Sequence, residues 1–317
     1  MNGRPRFSVI LISHNRADFL TEALDSVAAQ TWPASEIFVV DDGSTVDITP
    51  ATKDRDGLPL TVIRQENAGQ QAARNTGAAA ASGDWLVFLD DDDQFLPDHL
   101  ETLAGAIGSG TPDIVFTNFI RFEEGKDEAD SFFARFPKHF PPDNLSGGYQ
   151  HFARWPVEDQ AELSIFYPSV MAIRRQHYEA LGGFDPRIRG IKCEDMEFTT
   201  RATYRSPLAL SLKPTVRYRM HEGNSVRDPL KREIGKLRIW DWLRGTLDWN
   251  NEERAYLDRL IAERAPHAFR AAFLLKDRAE LERAAALLPP LGKLHPKQWL
   301  RRLYARIVFP RPGGVQR

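Results

Sequence analysis

The chain has 317 residues, 42% of them hydrophobic, which is enough to bury one large core or a core with an appended unit. Its 42 basic and 44 acidic residues leave a formal net charge of −2, so the total charge gives no indication of binding to nucleic acid or another polyanion. The single cysteine, Cys193, excludes a disulfide framework and a zinc site built from cysteines.

The first 120 residues alternate short apolar runs with stretches of helical periodicity. Strands are predicted at residues 7–12, 37–40, 60–63, 85–89 and 114–116. Helices are predicted at residues 17–30, 68–81 and 97–107. This alternation predicts an α/β fold with a mixed, mainly parallel sheet that carries helices on both faces.

Acidic residues follow two of the predicted strands. Asp41 and Asp42 end the second strand, and four consecutive aspartates, Asp90 to Asp93, end the fourth. Ligands of open α/β sheets bind at the carboxyl ends of the strands. Adjacent carboxylates repel one another unless a cation or solvent compensates them, and their oxygens suit Mg²⁺ or Mn²⁺. A metal site for a substrate phosphate is one interpretation, and a solvated acidic loop and a simple Asp-Gly turn are the alternatives.

Three further segments carry candidate chemistry. In the predicted helix 68–81, Arg74 can bind a phosphate or a sugar, although a helix of small residues also serves simple packing. Glu194 and Asp195 stand at the start of a predicted helix, where a carboxylate can act as a base or only cap the helix. His221 lies in a glycine-containing loop and is either a metal ligand or an ordinary polar loop residue.

The remainder of the chain is harder to interpret. Residues 121–159 are irregular and rich in phenylalanine, which favours a mobile lid, with a locally packed surface subdomain as the alternative. Helices are predicted beyond residue 228, and a domain boundary near residue 227. Residues 299–309 mix aromatics with arginines and either lie on an anionic membrane or form a terminal helix that packs on protein. Since no run of about 18 apolar residues is present, we expect no transmembrane helix and a cytoplasmic location.

Taken in order, these segments resemble the family 2 glycosyltransferases, which have a GT-A fold. The matching runs are 7–16 (FSVILISHNR), 39–45 (VVDDGST), 67–69 (NAG), 74–77 (RNTG), 88–93 (FLDDDD), 182–185 (GGFD), 194–198 (EDMEF) and 221–225 (HEGNS). Their order and spacing match over about residues 7–227, and nothing matched covers 228–317. Two positions depart from the family pattern: His14 stands where an aromatic residue is common, and Asp91 where a small residue is frequent.

The resemblance implies an inverting transferase that uses a nucleotide-activated sugar and Mn²⁺ or Mg²⁺. It implies donor contacts from Ser13, Asn15, Asp42, Arg74, Asp90 and Asp91. Asp92 and His221 would be the metal ligands. Asp195 would be the catalytic base, with its neighbour Glu194 as a lesser candidate. The sugar and the nucleotide stay open, and UDP is the first choice from family frequency alone.

The resemblance also implies a domain layout and partners. Residues 1–227 would form the GT-A catalytic domain, with a nucleotide-sugar-binding half at 1–120 and an acceptor-binding half with the lid at 121–227. Residues 228–317 would form a helical C-terminal extension. The expected partners are a nucleotide-sugar donor and a saccharide or lipid-linked acceptor in cell-surface polysaccharide or glycoconjugate assembly, with no nucleic acid. The basic C-terminus would allow peripheral contact with the inner membrane face.

Two other functions fit the early part of the chain. A nucleotidyltransferase that makes an activated sugar would carry a glycine-rich, basic loop after the first strand, but residues 12–17 contain no glycine. A non-catalytic module that binds nucleotide sugars would not need the acidic, base and histidine motifs together.

Overall fold

The computed structural model describes residues 4–141, 145–163, 166–222 and 228–288. The chain forms two compact units. The first consists of the described parts of Met1–Arg189 and Phe198–His221. The second consists of Gly190–Glu197 and the described part of Glu222–Arg317.

The strands all belong to the first unit. They are β1 (Phe7–Ser13), β2 (Glu36–Asp42), β3 (Leu60–Gln65), β4 (Trp85–Asp90), β5 (Gln94–Phe95), β6 (Ile114–Glu123), β7 (Lys126–Asp127), β8 (Gln150–Phe152), β9 (Met171–Arg174) and β10 (Leu208–Arg219).

The α-helices are distributed over both units. They are α1 (Ala17–Ala28), α2 (Thr49–Thr52), α3 (Gln70–Ala80), α4 (His99–Gly108), α5 (Val157–Leu163), α6 (Arg175–Ala180), α7 (Glu194–Thr203), α8 (Pro229–Thr246), α9 (Asn251–Leu275) and α10 (Arg278–Ala286). Short 3-10 helices occur at Phe133–Arg135, Pro168–Val170 and Pro186–Ile188.

One mixed sheet organises the first unit. Its strands follow the order β3-β2-β1-β4-β9-β6-β10-β5, with β7 beside β6 and β8 beside β10. The pairs of β1 with β2 and β4, of β2 with β3, and of β6 with β10 are parallel, whereas β9 runs antiparallel between β4 and β6. The α/β prediction is confirmed, and the five strands predicted before residue 120 are β1, β2, β3, β4 and β6. The pattern missed the very short β5, β7 and β8.

Strand register brings the polar strand ends together. Ser13 pairs with Asp41, and Ile12 pairs with Asp90. Strands β1 and β4 are almost wholly buried because neighbours flank them on both sides, and this explains their uninterrupted apolar sequences. The carboxyl ends of three adjacent parallel strands therefore form one edge that displays polar side chains.

Helix α3 lies very close to the sheet. A Cβ atom on Gly77 would be 2.5 Å from Ile10 Cγ2 and 3.2 Å from Val40 Cγ2. Only a glycine permits this separation. The helix therefore has the packing role that its small residues predict, and its close approach brings Arg74 against Asp90 at the polar edge.

The phenylalanines of residues 121–159 join the main hydrophobic core. Phe132, Phe133 and Phe140 are buried, with ring centroids of Phe133 and Phe140 4.1 Å apart and those of Phe119 and Phe132 4.6 Å apart. They are not a separate local cluster. Residues 142–144 lie outside the described residues, and the lid stays a prediction.

Within the described residues after 228, the second unit forms the helices α8, α9 and α10, as the periodicity there predicts. Helix α9 begins with a capping box between Asn250 and Glu253 and continues through Pro266, ending before Lys276 in the left-handed conformation. No described helix is long and apolar enough to cross a membrane. The basic stretch 299–309 lies outside the described residues.

Candidate active site

Asp90, the first aspartate after β4, is fixed by a buried arginine. Arg74 Nη2 on α3 donates to Asp90 Oδ1 at 2.5 Å and to Gln70 Oε1 at 3.2 Å, and the Arg74 guanidinium lies 5.2 Å from the Phe184 ring centroid. The Arg74 side chain is 2% exposed, whereas that of Asp90 is 29% exposed. Arg74 therefore orients Asp90, and Asp90 is the member of the pair that faces outward.

Asp91 points into the protein. Its Oδ2 accepts a hydrogen bond from Ser13 Oγ at 2.8 Å, and its Oδ1 accepts one from Arg16 Nη1 at 3.2 Å. Burial, reinforced by the nearby charge of Asp92, raises the pKa of Asp91 to about 7 although Arg16 and Ser13 oppose the shift. Ser13 and Asp91, predicted separately as donor contacts, are thus one hydrogen-bonded pair.

Asp92 lies between two cationic or potentially cationic side chains. Its Oδ2 accepts a hydrogen bond from Arg16 Nη1 at 2.6 Å and lies 3.0 Å from His221 Nε2. The side chains of Asp92 and His221 are 15% and 20% exposed. The structure therefore brings together the two residues predicted as metal ligands, which are 129 residues apart in the chain.

Asp93 is buried and hydrogen-bonded within the protein. It is fully buried, its Oδ2 accepts from Ser169 Oγ at 2.6 Å, and its Oδ1 accepts from the Arg219 backbone N–H at 3.0 Å. Burial raises its pKa well above the usual range for a carboxyl group. Arg219 Nε also donates to the Asp92 carbonyl oxygen at 2.8 Å, so these contacts join the ends of β4 and β10.

The donor set at Asp92 and His221 fits a divalent cation that takes its remaining ligands elsewhere. Among the described residues, no group of three or more histidine, cysteine, aspartate or glutamate side chains is arranged to hold a metal ion. Mg²⁺ commonly uses one or two carboxylates, with substrate phosphates and waters completing the shell. The Asp92 carboxylate matches that pattern and also suits Mn²⁺, and the His221 imidazole would add one nitrogen ligand.

Asn15 braces the loop after β2. It adopts a left-handed conformation (φ 60°), which places Asn15 Oδ1 within reach of the Thr45 N–H at 2.7 Å and the Val46 N–H at 3.3 Å. Asparagine tolerates this conformation better than most residues. The backbone N–H of Asn15 in turn donates to Ser44 Oγ at 2.9 Å.

Asp42 braces the loop before α3. Its two carboxylate oxygens accept from the Ala68 N–H at 2.8 Å, the Gly69 N–H at 2.9 Å and Gln65 Nε2 at 2.7 Å. Gly69 has φ 87°, which favours glycine at this turn. Asn15 and Asp42, both predicted as donor contacts, thus shape the walls of the same polar edge.

Asn75 couples α3 to the turn that carries Phe184. Asn75 Nδ2 donates to the Phe184 carbonyl oxygen at 2.8 Å, and Asn75 Oδ1 accepts from the Phe184 N–H at 2.9 Å and from Tyr178 Oη at 2.6 Å. Gly183 approaches the same amide, since a Cβ there would be 2.6 Å from Asn75 Oδ1. These contacts explain why the sequence runs 74–77 and 182–185 occur together.

Glu194 and Asp195 occupy the first turn of α7 and belong to the second unit. The Met196 N–H donates to Asp195 Oδ1 at 2.9 Å and to the Cys193 carbonyl oxygen at 3.1 Å. The free N–H groups of a helix N-terminus stabilise carboxylates in this position. Both side chains are partly exposed, so they combine the capping geometry weighed from the sequence with access to solvent.

Three residues that hydrogen-bond to Asp92 or Asp93 were not predicted from the sequence. Arg16 could have been found, because it follows β1 and the register of β1 with β4 puts the turn opposite the aspartates. Ser169 and Arg219 had no sequence signal, because they reach Asp93 only through the long-range placement of the segments before β9 and at the end of β10.

Comparisons with known proteins agree with the family resemblance and with the fold. The sequence model of the family described as "Glycosyl transferase family 2" matches residues 8–182. "Uncharacterized glycosyltransferase YwdF" from Bacillus subtilis (strain 168) is 32% identical over 200 residues, which are 62% of this chain and 68% of that protein.

Two solved structures share the fold. The structure of S. aureus TarS 1-349 in complex with UDP-GlcNAc has a TM-score of 0.65 at 20% identity and covers 98% of this chain and 93% of that one. The mannosyltransferase PcManGT from Pyrobaculum calidifontis, in complex with GDP-Man and Mn²⁺, has a TM-score of 0.55 at 21% identity and covers 98% of this chain and 82% of that one. The GT-A fold expected from the sequence is therefore confirmed.

Proposed function

The chain belongs to glycosyl transferase family 2 and is a glycosyltransferase, and from that premise we propose a metal-dependent, inverting transfer of a sugar from a UDP-sugar to a hydroxyl acceptor. The observation that carries the proposal is the pairing of Asp92 Oδ2 with His221 Nε2 at 3.0 Å, beside Asp90, on the polar edge of the sheet. TarS is solved in complex with UDP-GlcNAc, and PcManGT in complex with GDP-Man and Mn²⁺, and these complexes support a nucleotide-sugar donor and a divalent cation.

In this proposal the donor lies along the carboxyl edge of β1, β2 and β4. Asp42 and Asn15 shape the wall against which the nucleotide base lies, and Ser13 holds Asp91 in place through a hydrogen bond. Asp90, oriented by Arg74, offers its remaining lone pairs to hydroxyl groups of the ribose or sugar.

Asp92 and His221 would hold the divalent cation, Mn²⁺ or Mg²⁺. A bound divalent cation neutralises the charge that builds on a leaving nucleoside diphosphate. The partial exposure of both side chains leaves room for the phosphate oxygens that would complete the coordination.

Asp195 is the proposed base, with Glu194 as the lesser candidate. Its carboxylate takes the proton of the acceptor hydroxyl while the acceptor oxygen bonds to the anomeric carbon and the bond from that carbon to the diphosphate oxygen breaks. One base suffices for a single inverting displacement, whereas a retaining hydrolase would need two carboxyl groups flanking the bond.

A pair of variants tests the base. Asp195→Asn should lower kcat by roughly 10²–10⁴-fold because it removes a general base, while the Kd of the donor stays unchanged. Glu194→Gln is the matched control, and its kcat should fall far less than that of Asp195→Asn. Full transfer by Asp195→Asn would remove Asp195 as the base.

A panel of nucleotide sugars tests the donor and the metal. Thermal unfolding is followed with UDP-, GDP- and other nucleotide sugars, each with Mn²⁺ or with EDTA. At a hundredfold excess over Kd, a ligand stabilises the folded state by about 2.7 kcal/mol, which raises Tm by several degrees. UDP-sugars with Mn²⁺ should give the largest rise, and Asp92→Ala should abolish its dependence on Mn²⁺. A panel without any shift would contradict the donor assignment.

The proposed acceptor is a saccharide or lipid-linked hydroxyl in cell-surface polysaccharide or glycoconjugate assembly. The basic sequence 293–317 supports contact with an anionic, inner membrane face on composition alone. Co-sedimentation with anionic liposomes should fall when residues 293–317 are deleted. Equal sedimentation of both proteins would end the idea.

A further inference from the structure

Helix α8 comes very close to the loop before α7 at Gly235. A Cβ atom built on Gly235 would lie 2.2 Å from the Lys192 carbonyl oxygen and 2.8 Å from its carbonyl carbon. The contact is therefore backbone against backbone, and no rotation of a side chain could relieve an added methyl group. Gly245, on the same helix, differs in this respect, because no described atom lies within 4 Å of a Cβ built there.

The loop that meets Gly235 has little freedom. Gly190 and Cys193 bracket it with φ 78° and φ 66°, and the latter value is uncommon for a residue with a side chain. The Cys193 carbonyl oxygen accepts the hydrogen bond from the Met196 N–H that opens α7. The Lys192 peptide therefore directly precedes the residue whose carbonyl oxygen accepts this hydrogen bond, and Asp195 lies in the first turn that the bond opens.

The surroundings of Cys193 place α8 beside this loop independently. Burial raises the pKa of the Cys193 thiol to about 12, and Asp195 adds to the shift. Arg232 and Lys236, on α8 at either side of Gly235, oppose it, so their charges act directly on the loop.

We infer that Gly235 is a positioning residue, through which α8 holds the Lys192 carbonyl and so aims the Asp195 carboxylate. The inference rests on the proposed role of Asp195 as the base. It gives the C-terminal helices a part in the chemistry, because they support the loop from which the base projects.

The test compares Gly235→Ala with Gly245→Ala in the full chain. Both changes put a better helix former into α8, so a general effect on the helix is common to both. Gly235→Ala should lower kcat by about 10–100-fold, the loss expected when a reacting group is displaced by an ångström or less. Its KM and Kd for the donor should stay within about twofold of those of the parent. Gly245→Ala should match the parent in all three.

Hydrogen exchange provides a second readout that does not depend on activity. Amides of residues 190–197 should exchange faster in Gly235→Ala than in Gly245→Ala, while peptides of β1 to β4 stay unchanged. If Gly235→Ala does not fold, Lys192→Gly keeps the carbonyl group that Gly235 contacts but gives the backbone of the loop more conformational freedom. It should show the same fall in kcat with unchanged donor Kd.

Two results would overturn the inference. One is equal kcat in Gly235→Ala and Gly245→Ala, and the other is a parallel loss of donor binding and kcat in Gly235→Ala, which would indicate general damage to the fold. Activity in Asp195→Asn would instead refute the proposed base, while the exchange of residues 190–197 would still decide whether Gly235 restrains the loop.

Discussion

Arg16 should weaken the binding of divalent cations to this protein, and its replacement by methionine should strengthen it. Arg16 Nη1 lies 2.6 Å from Asp92 Oδ2, the same oxygen that lies 3.0 Å from His221 Nε2. A cation held by Asp92 and His221 must compete with the guanidinium for that oxygen. Arg16→Met keeps much of the length and apolar volume of the side chain but removes the competing charge.

The size of the effect follows from the contact. A hydrogen bond between charged groups contributes about 1.5–3 kcal/mol when it is desolvated. The Arg16 side chain is 37% exposed, which places this pair at the lower end of the range. A difference of about 1.4 kcal/mol corresponds to tenfold in Kd, so the Kd for Mn²⁺ should fall about tenfold in Arg16→Met.

The assay is a Mn²⁺ titration in which electron paramagnetic resonance measures free Mn²⁺, with and without UDP. Arg6→Met is the matched control, since Arg6 pairs with Asp84 at 3.2 Å near the start of β4, and both side chains are more than half exposed. That variant loses the same net charge and should leave the Kd unchanged. An unchanged or weaker affinity for Mn²⁺ in Arg16→Met would refute the competition.

Three stability predictions follow from buried contacts, each measured by urea unfolding. Gly77→Ala should destabilise the protein by about 1–3 kcal/mol, because the new Cβ would overlap Ile10 Cγ2 at 2.5 Å; an unchanged midpoint would contradict the close packing of α3. Asn75→Ala should cost about 2–4 kcal/mol, since it leaves both backbone groups of Phe184 without the amide, and a cost below 1 kcal/mol would argue against the clamp. His99 is buried, and burial lowers its pKa from 6.5 to about 3. Below pH 6.5 the unfolded chain therefore binds a proton at this histidine that the folded protein does not bind. As a result, the stability of the fold decreases as the pH is lowered. When the pH is lowered from 6.5 to 5, the free energy of unfolding of His99→Asn should therefore decrease by about 2 kcal/mol less than that of the parent. An equal decrease in both proteins would refute the contribution of His99 to the pH dependence.

Some parts of the fold could be predicted from the sequence and others could not. The apolar runs of β1, β2 and β4 predicted buried parallel strands, and the polar residues at their ends predicted the site, because both signals are local. The strand β9 lies between β4 and β6 although it follows both in the chain, and no local pattern encodes such an insertion. The short strands β5 and β8 exist only because they pair with β10.

The individual site residues also differ in how far the sequence alone predicted their contacts. His221 beside Asp92 was expected from the family resemblance, and the structure brings the two side chains together. Arg74 was expected to contact the donor, and the structure shows it buried against Asp90, a role that burial alone reveals. Ser169 was outside every motif, because its part in holding Asp93 depends on a loop that the fold brings in from a distance.

The sequence by itself determined that four aspartates end a buried strand at the carboxyl edge of an α/β sheet, because apolar runs and turn residues act on their immediate neighbours. Only the tertiary structure decided the environment of each aspartate. Asp90 and Asp92 stay partly exposed beside Arg74 and Arg16, while Asp93 is buried. Asp93 is held by partners 76 and 126 residues away in the chain. The physical reason is that burial and ion pairing depend on residues distant in sequence, so four identical side chains acquire different environments only when the sheet is complete.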